Sequence, residues 1–218
     1  MLSNEEIKTV EECVGKLVEE FKNNPYHFYT EQAMHCYLYH ILIEKEEFRK
    51  PHPAADKKET ILLHKEYPTI KLYKRKQNKK LRDKEKGERG TRGHFDIVIL
   101  DPEDIKKISV KKSTAKFRKG KTPIAPAVAI ELALDEGTVH LANDHKKLAD
   151  GTRGYLLHFI RDVDVRKGEK FSNLRGEVEK IKMEGKVKIW YVDVYPREYL
   201  NKEKIEIKSG ARARIEAE

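Results

Sequence analysis

The stretch Pro126-Ala-Val-Ala-Ile-Glu-Leu-Ala-Leu134 limits the fold more than any other part of the chain. An apolar run of this length reads as a strand covered on both faces. Such a strand needs neighbours on either side and helices above and below. Glu131 is the exception inside it. A buried carboxylate is costly unless a cation or hydrogen-bond donors meet it. Strand alternation puts Val128, Ile130, Leu132 and Leu134 on one face. Ala127, Ala129, Glu131 and Ala133 share the other face, where the small side chains leave room for a packed helix, or for a substrate backbone and an ion.

Other elements follow from periodicity and punctuation. Ser3-x-x-Glu6 is a capping box that opens a helix running to about Lys22, with a stripe of Ile7, Val10, Val14, Leu17, Val18 and Phe21. Asn23-Asn24-Pro25 stops it. A second helix is expected from Glu31 to Glu46, with Met34, Leu38, Ile41 and Leu42 on one face. Strands are expected at Ile61–Tyr67, His94–Leu100, Ala127–Leu134, Tyr155–Ile160 and Val187–Tyr195. A short extended piece at Ile70–Tyr73 and an edge strand at Lys204–Lys208 are added to these. Helices are expected at Thr138–Ala149 and Ser172–Glu184. The order α-α-β-β-β-α-β-α-β implies an α/β fold. It would hold a mixed central sheet flanked by helices, in one domain over residues 1–218.

Charge is unevenly spread. The chain carries 38% charged residues and a net charge of +9. Abundant Lys and Glu with few Gln, Cys and Met is a thermophilic bias, which alone would mix the signs. Instead, residues 74–92 hold ten bases against three acids, and residues 106–121 hold eight bases and no acid. These two segments, read as loops, together carry +15 against a net +9 for the chain, so the remainder is negative by six. Basic loops on an acidic body point to a polyanion partner, a nucleic acid above all. Lys74, Arg75, Lys76, Lys79, Lys80, Lys111, Lys112, Lys116, Arg118 and Lys119 are the candidate phosphate contacts. The plain alternative is two solvated loops without a ligand.

Several classes lose support. No apolar run approaches the roughly 20 residues that span a bilayer. The charged, amphipathic start does not read as a secretory signal, so a cytoplasmic protein is expected. Cys13 and Cys36 form neither a zinc spacing nor a disulfide framework and read as buried thiols. The histidines show no pair at zinc spacing. His158, within Leu-Leu-His-Phe, reads as a core histidine. Gly87, Gly90 and Gly93 match no phosphate-binding fingerprint, and Gly-x-Ser-x-Gly is absent.

Two further acids sit in costly places. Asp96 begins the strand His-Phe-Asp-Ile-Val-Ile-Leu, although Asp is a poor strand former. Its plain role there is to receive a turn amide. Glu31 heads the apolar stripe of the second helix, where interaction with the helix N-terminus is the plain account. Glu66 reads as an edge-strand acid in preference to a metal ligand. Carboxylates on neighbouring strands beside basic loops make a hard-oxygen site suited to Mg²⁺ or Mn²⁺.

These motifs resemble the PD-(D/E)xK nuclease superfamily, the restriction-endonuclease-like fold, over residues 26–195. Arg92-Gly-His-Phe-Asp96-Ile-Val-Ile-Leu looks like its Asp strand, Ala129-Ile-Glu131-Leu like its Glu strand, and Tyr29-Thr-Glu31 like its helix-one Glu. The resemblance implies an α-β-β-β-α-β core and Mg²⁺- or Mn²⁺-dependent hydrolysis of DNA phosphodiesters. It implies metal binding by Asp96 and Glu131, with support from Glu31. By analogy with nucleases that cut both strands, it also implies a homodimer. Phe95 replaces the motif's Pro, and Ala133 stands where its Lys belongs. Lys147 is the candidate for that ammonium, because His140, Asn143, Asp144 and Lys147 line a polar helix face just after the Glu strand. Lys146, Lys111 and Lys112 compete with it. The alternative is a catalytically inactive nucleic-acid-binding protein on the same fold.

Overall fold

The computed structural model describes residues 2–73, 91–118, 124–148, 153–161, 168–185 and 187–194. Helix α1 (Asn4–Asn23) opens on the expected capping box: Glu6 N–H donates to Ser3 Oγ at 3.2 Å, and Ser3 N–H to Glu6 Oε2 at 2.6 Å. Its stripe of Val10, Val14, Leu17, Val18 and Phe21 is buried. After a 3-10 turn (Pro25–His27), Thr30 caps α2 (Glu31–Ile43) by accepting from Ala33 N–H. The expected continuation to Glu46 is instead a break and a short α3 (Glu46–Arg49). Cys13 is buried, but Cys36 is exposed on α2, against the expectation of two buried thiols.

A small antiparallel ribbon of β1 (His52–Pro53) and β2 (Glu59–Thr60) precedes the main sheet. That sheet is formed by β3 (Leu63–Tyr73), β4 (Thr91–Ile99), β5 (Val128–Leu134), β6 (Arg153–Ile160) and β7 (Val187–Asp193). Their spatial order is β3-β4-β5-β6-β7. The first two ladders are antiparallel and the last two parallel, so the sheet is mixed. The parallel pairs need crossovers, supplied by α6 (Thr138–Leu148) and α7 (Gly168–Glu184). The chain is thus an α/β protein with a five-stranded mixed sheet flanked by helices. Among the described residues, no helix is long and apolar enough to cross a membrane.

Helices cover both faces. Tyr155 on β6 donates to Glu11 of α1 at 3.0 Å, and Phe159 packs on Phe21 with ring centroids 4.8 Å apart. By register, Tyr155 and Phe159 share a face with Ile130 and Leu134, so α1 lies over the large-residue face of β5. On the opposite face, α6 reaches Glu131 through Lys147, and α7 reaches Asp193 through Arg175. Every residue of β5 is buried, as its apolar run demands.

Two segments differ from the sequence reading. The expected strands Ile61–Tyr67 and Ile70–Tyr73 merge into one, β3, which starts at Leu63 and leaves Ile61 and Leu62 ahead of it. Among the described residues β3 is the edge strand of the sheet, a position where a proline is tolerated, as Pro68 is here. The second basic segment is not a loop. Its described part begins at Lys106, the C-cap of α4 (Pro102–Ile105), and contains the whole of α5 (Val110–Arg118). Asp56 anchors the start of α5, accepting from Ser109 Oγ at 2.8 Å and from Lys111 N–H at 3.1 Å. Most of the first basic segment, together with the edge strand at 204–208, lies outside the described residues.

Candidate metal centre

Strands β4 and β5 pair only through Ile97–Ile130, Val98–Ala129 and Ile99–Val128. Past Ile97, β4 stays with β3, and past Ile130, β5 stays with β6. The two strands therefore part like a fork. Asp96 and Glu131 are the first residues on its two arms, both one step from the Ile97–Ile130 pair and so on the same face. Asp96 holds the fork open chemically: its Oδ2 accepts from Leu132 N–H at 2.7 Å, replacing a ladder bond with a side-chain bond.

Helix α6 lies across the fork. Lys147 Nζ is 2.6 Å from Glu131 Oε2 and 2.8 Å from Asp144 Oδ1. Asp144 Oδ2 is in turn 2.9 Å from His140 Nε2. His140, Asp144 and Lys147 are spaced at i, i+4 and i+7, which puts them on one helix stripe. The Lys147 stem runs beside Gly93 on β4, where an added methyl would stand 3.4 Å from Lys147 Cδ. Lys147 thus touches both arms.

Helix α2 contributes from its first turns. His35 Nε2 is 3.5 Å from Asp96 Oδ2 and 3.8 Å from Glu31 Oε1. His35 is only 3% exposed, yet neither ring nitrogen has a hydrogen-bond partner. Glu66 lies between the Lys65–Ile97 and Tyr67–Phe95 pairs of β3 and β4, level with Asp96, and has a left-handed backbone, φ 50°. One ligand atom from each of His35, Glu66 and Asp96 lies within 4.8 Å of the others.

The electrostatics are those of too many acids for one base. Glu131 is 1% exposed and its Oε1 has no partner. Burial, and then the charge of Asp96, push its pKa well above the usual carboxylate range. Burial also raises Asp96 to about 7, opposed by the Leu132 amide and the Lys147 charge. Glu31 is raised by burial too. For Lys147, burial works against the ammonium, but Glu131 and Asp144 outweigh it and hold its pKa above the ordinary value. Burial lowers His35 to about 4, helped by Lys65 and Lys147, so its imidazole is neutral. Asp96 and Glu31 remain open to solvent, with side chains 15% and 34% exposed.

This donor set suits a divalent cation. The carboxylates outnumber the ammonium, and a buried oxygen of Glu131 is left without a partner. Glu31, Asp96, Glu131 and Lys147 surround the mouth of the fork. Lys111, Lys112 and Lys116 are exposed on α5, a separate element. Arg118 ends α5, with its side chain outside the described residues. Lys74, Arg75, Lys76, Lys79, Lys80 and Lys119 also lie outside them.

Sequence reasoning passed over His35, placed Asp144 only on a polar face, and read Glu66 as an edge acid. The available signals were Glu31-x-x-x-His35 and His140-x-x-x-Asp144-x-x-Lys147, each a helix stripe. Comparison of the chain with protein-family models, curated proteins and solved structures finds no match.

Proposed function

We propose that the chain is a metal-dependent nuclease that hydrolyses DNA phosphodiester bonds at the β4–β5 fork, on a restriction-endonuclease-like core. The observation that carries this reading is Lys147, whose ammonium reaches Glu131 from a helix although the strand position expected for it holds Ala133. With α3, β1, β2, α4 and α5 as insertions, the order α2-β3-β4-β5-α6-β6 also supports it, since it follows the α-β-β-β-α-β order that the resemblance implies.

Asp96 and Glu131 would hold Mg²⁺ or Mn²⁺, with Glu31 supporting the solvent-exposed side. The bound ion would supply polarisation of the phosphodiester and a lowered pKa for an attacking water. Lys147 offers the ammonium that orients that water and neutralises developing charge. Asp144 fixes Lys147 in place, and His140 backs Asp144. The basic segments, Lys111, Lys112 and Lys116 among them, would hold flanking phosphates.

The test is cleavage of plasmid and single-stranded DNA with Mg²⁺ or Mn²⁺. Glu131→Ala and Lys147→Ala should each lower the rate by about a hundredfold or more. Activity indifferent to Glu131→Ala would sink the assignment.

A second reading is a non-catalytic nucleic-acid-binding protein on the same fold, in which Glu131 survives as half of a structural ion pair. The closeness of Lys147 to both Glu131 and Asp144 favours it. DNA binding without cleavage under either ion would select it.

A further inference from the structure

Two acids on adjacent strands do not by themselves mark a cation site. The buried histidine beside them is the second observation. His35 is almost fully enclosed, and both of its ring nitrogens lack a hydrogen-bond partner. A buried polar group left without a partner is destabilising. A leucine would fill this position on α2 without that cost, between neighbours such as Met34 and Leu38 that are themselves buried. The imidazole faces Asp96, and Glu66 stands across β4 from it in a left-handed backbone conformation that an L residue adopts at some strain.

We propose that His35, Glu66 and Asp96 form a cation site that selects a first-row transition-metal divalent ion over Mg²⁺. Donor atoms on one such ion, at about 2.1 Å each, lie roughly 3 to 4.2 Å apart. His35 Nε2 and Asp96 Oδ2 are already 3.5 Å apart, and the three donors lie within 4.8 Å of one another. Shifts well under the length of a side chain close the site. The selectivity comes from the imidazole nitrogen, a good ligand for transition ions and a poor one for Mg²⁺. The two carboxylates supply the charge. Solvent reaches the site from the Glu66 side, because Glu66 is exposed.

The site shares Asp96 with the proposed nuclease centre. It rests on that reading for what the ion would do there, but not for whether the ion binds. Titration calorimetry on the full, chelator-stripped chain with MnCl₂ and with MgCl₂ tests it, using wild type, His35→Gln and Glu66→Gln. Mn²⁺ should bind wild type at least about tenfold more tightly than Mg²⁺, and His35→Gln should remove most of that preference. Glu66→Gln should weaken Mn²⁺ as well. A folding-independent readout is paramagnetic broadening in the wild type. Substoichiometric Mn²⁺ should broaden the ring resonances of His35 before those of exposed His40. Mn²⁺ affinity unchanged by His35→Gln, or equal broadening of the two histidines, overturns the proposal. DNA cleavage separates the two claims. A chain that binds Mn²⁺ through His35 but cuts nothing keeps this site and loses the nuclease. One that cuts with Mg²⁺, with metal binding indifferent to His35→Gln, does the reverse.

Discussion

Replacing Lys147 by Met removes the ammonium that faces both Glu131 and Asp144, two nearly inaccessible acids. Breaking a buried pair from one side costs about 3–5 kcal/mol, because the remaining charge stays uncompensated. Lys147→Met should therefore unfold at lower denaturant at pH 8. The deficit should shrink toward pH 5 as the orphaned carboxylates take up protons. A deficit that is the same at both pH values would show that packing, not charge, is lost. Glu131→Gln tests the other side. Lys147 keeps Asp144 as a partner in that variant, while the unpartnered Oε1 charge is gone. The metal-free protein should lose no more than about 1 kcal/mol, or gain stability, as substitutions at strained functional sites often do. A loss of about 3 kcal/mol or more in equilibrium unfolding would instead favour the structural ion pair over the metal centre.

At the scale of elements, the fork depends on one hydrogen bond. Leu132 N–H finds Asp96 in place of a strand carbonyl. Asp96→Asn keeps an acceptor and should fold with near wild-type stability. Asp96→Ala leaves a buried amide unpaired and should cost about 1–3 kcal/mol. Amide exchange at Leu132 should speed up in Asp96→Ala and not in Asp96→Asn, and identical exchange in the two variants would contradict this account. The strands carrying the site were readable in the sequence because burial on both faces of β5 leaves an apolar run, and Glu131 breaks it. Lys147 was readable because α6 repeats its polar positions at helical spacing. The fork was not. Both arms remain strands with local patterns of strands, and the point where their ladder ends is set by pairing between distant segments. His35 was hidden for a related reason. Its neighbours on α2 are apolar, and its meaning comes from Asp96 on another element. Helix α5 was missed because its dense charge conceals the few apolar positions, Val110 among them, that hold it to the body.

For the molecule as a whole, pH and salt act on different features. His158 is buried with Nε2 at 3.0 Å from the Glu136 carbonyl, and burial lowers its pKa from 6.5 to about 4. A histidine with a lowered folded pKa binds fewer protons folded than unfolded across that window. Its contribution is complete above pH 6.5 and is lost as pH falls toward 4, up to about 3 kcal/mol. His35 acts in the same sense, while Asp96, raised to about 7, acts in the opposite one. Only the difference between variants therefore isolates His158. Between pH 8 and 4.5, wild type should lose about 2–3 kcal/mol more than His158→Asn in chemical denaturation. Parallel pH profiles would refute this. Salt reads the charge separation instead. Lys111, Lys112 and Lys116 are exposed on α5, in a segment with no acid, while the body outside the two basic segments is net negative. If these lysines meet phosphates, each contact releases counterions and adds about 0.9 to the slope of log affinity against log salt on duplex DNA. Changing all three to Gln should flatten that slope by up to about 2.7 and weaken binding at low salt more than at high salt. The measurement uses Glu131→Gln as the background, so that cleavage does not consume the probe. A slope unchanged by the triple substitution would mean that the charge of α5 is a solvated, thermophile-like surface. The nucleic-acid contact would then have to come from elsewhere on the chain.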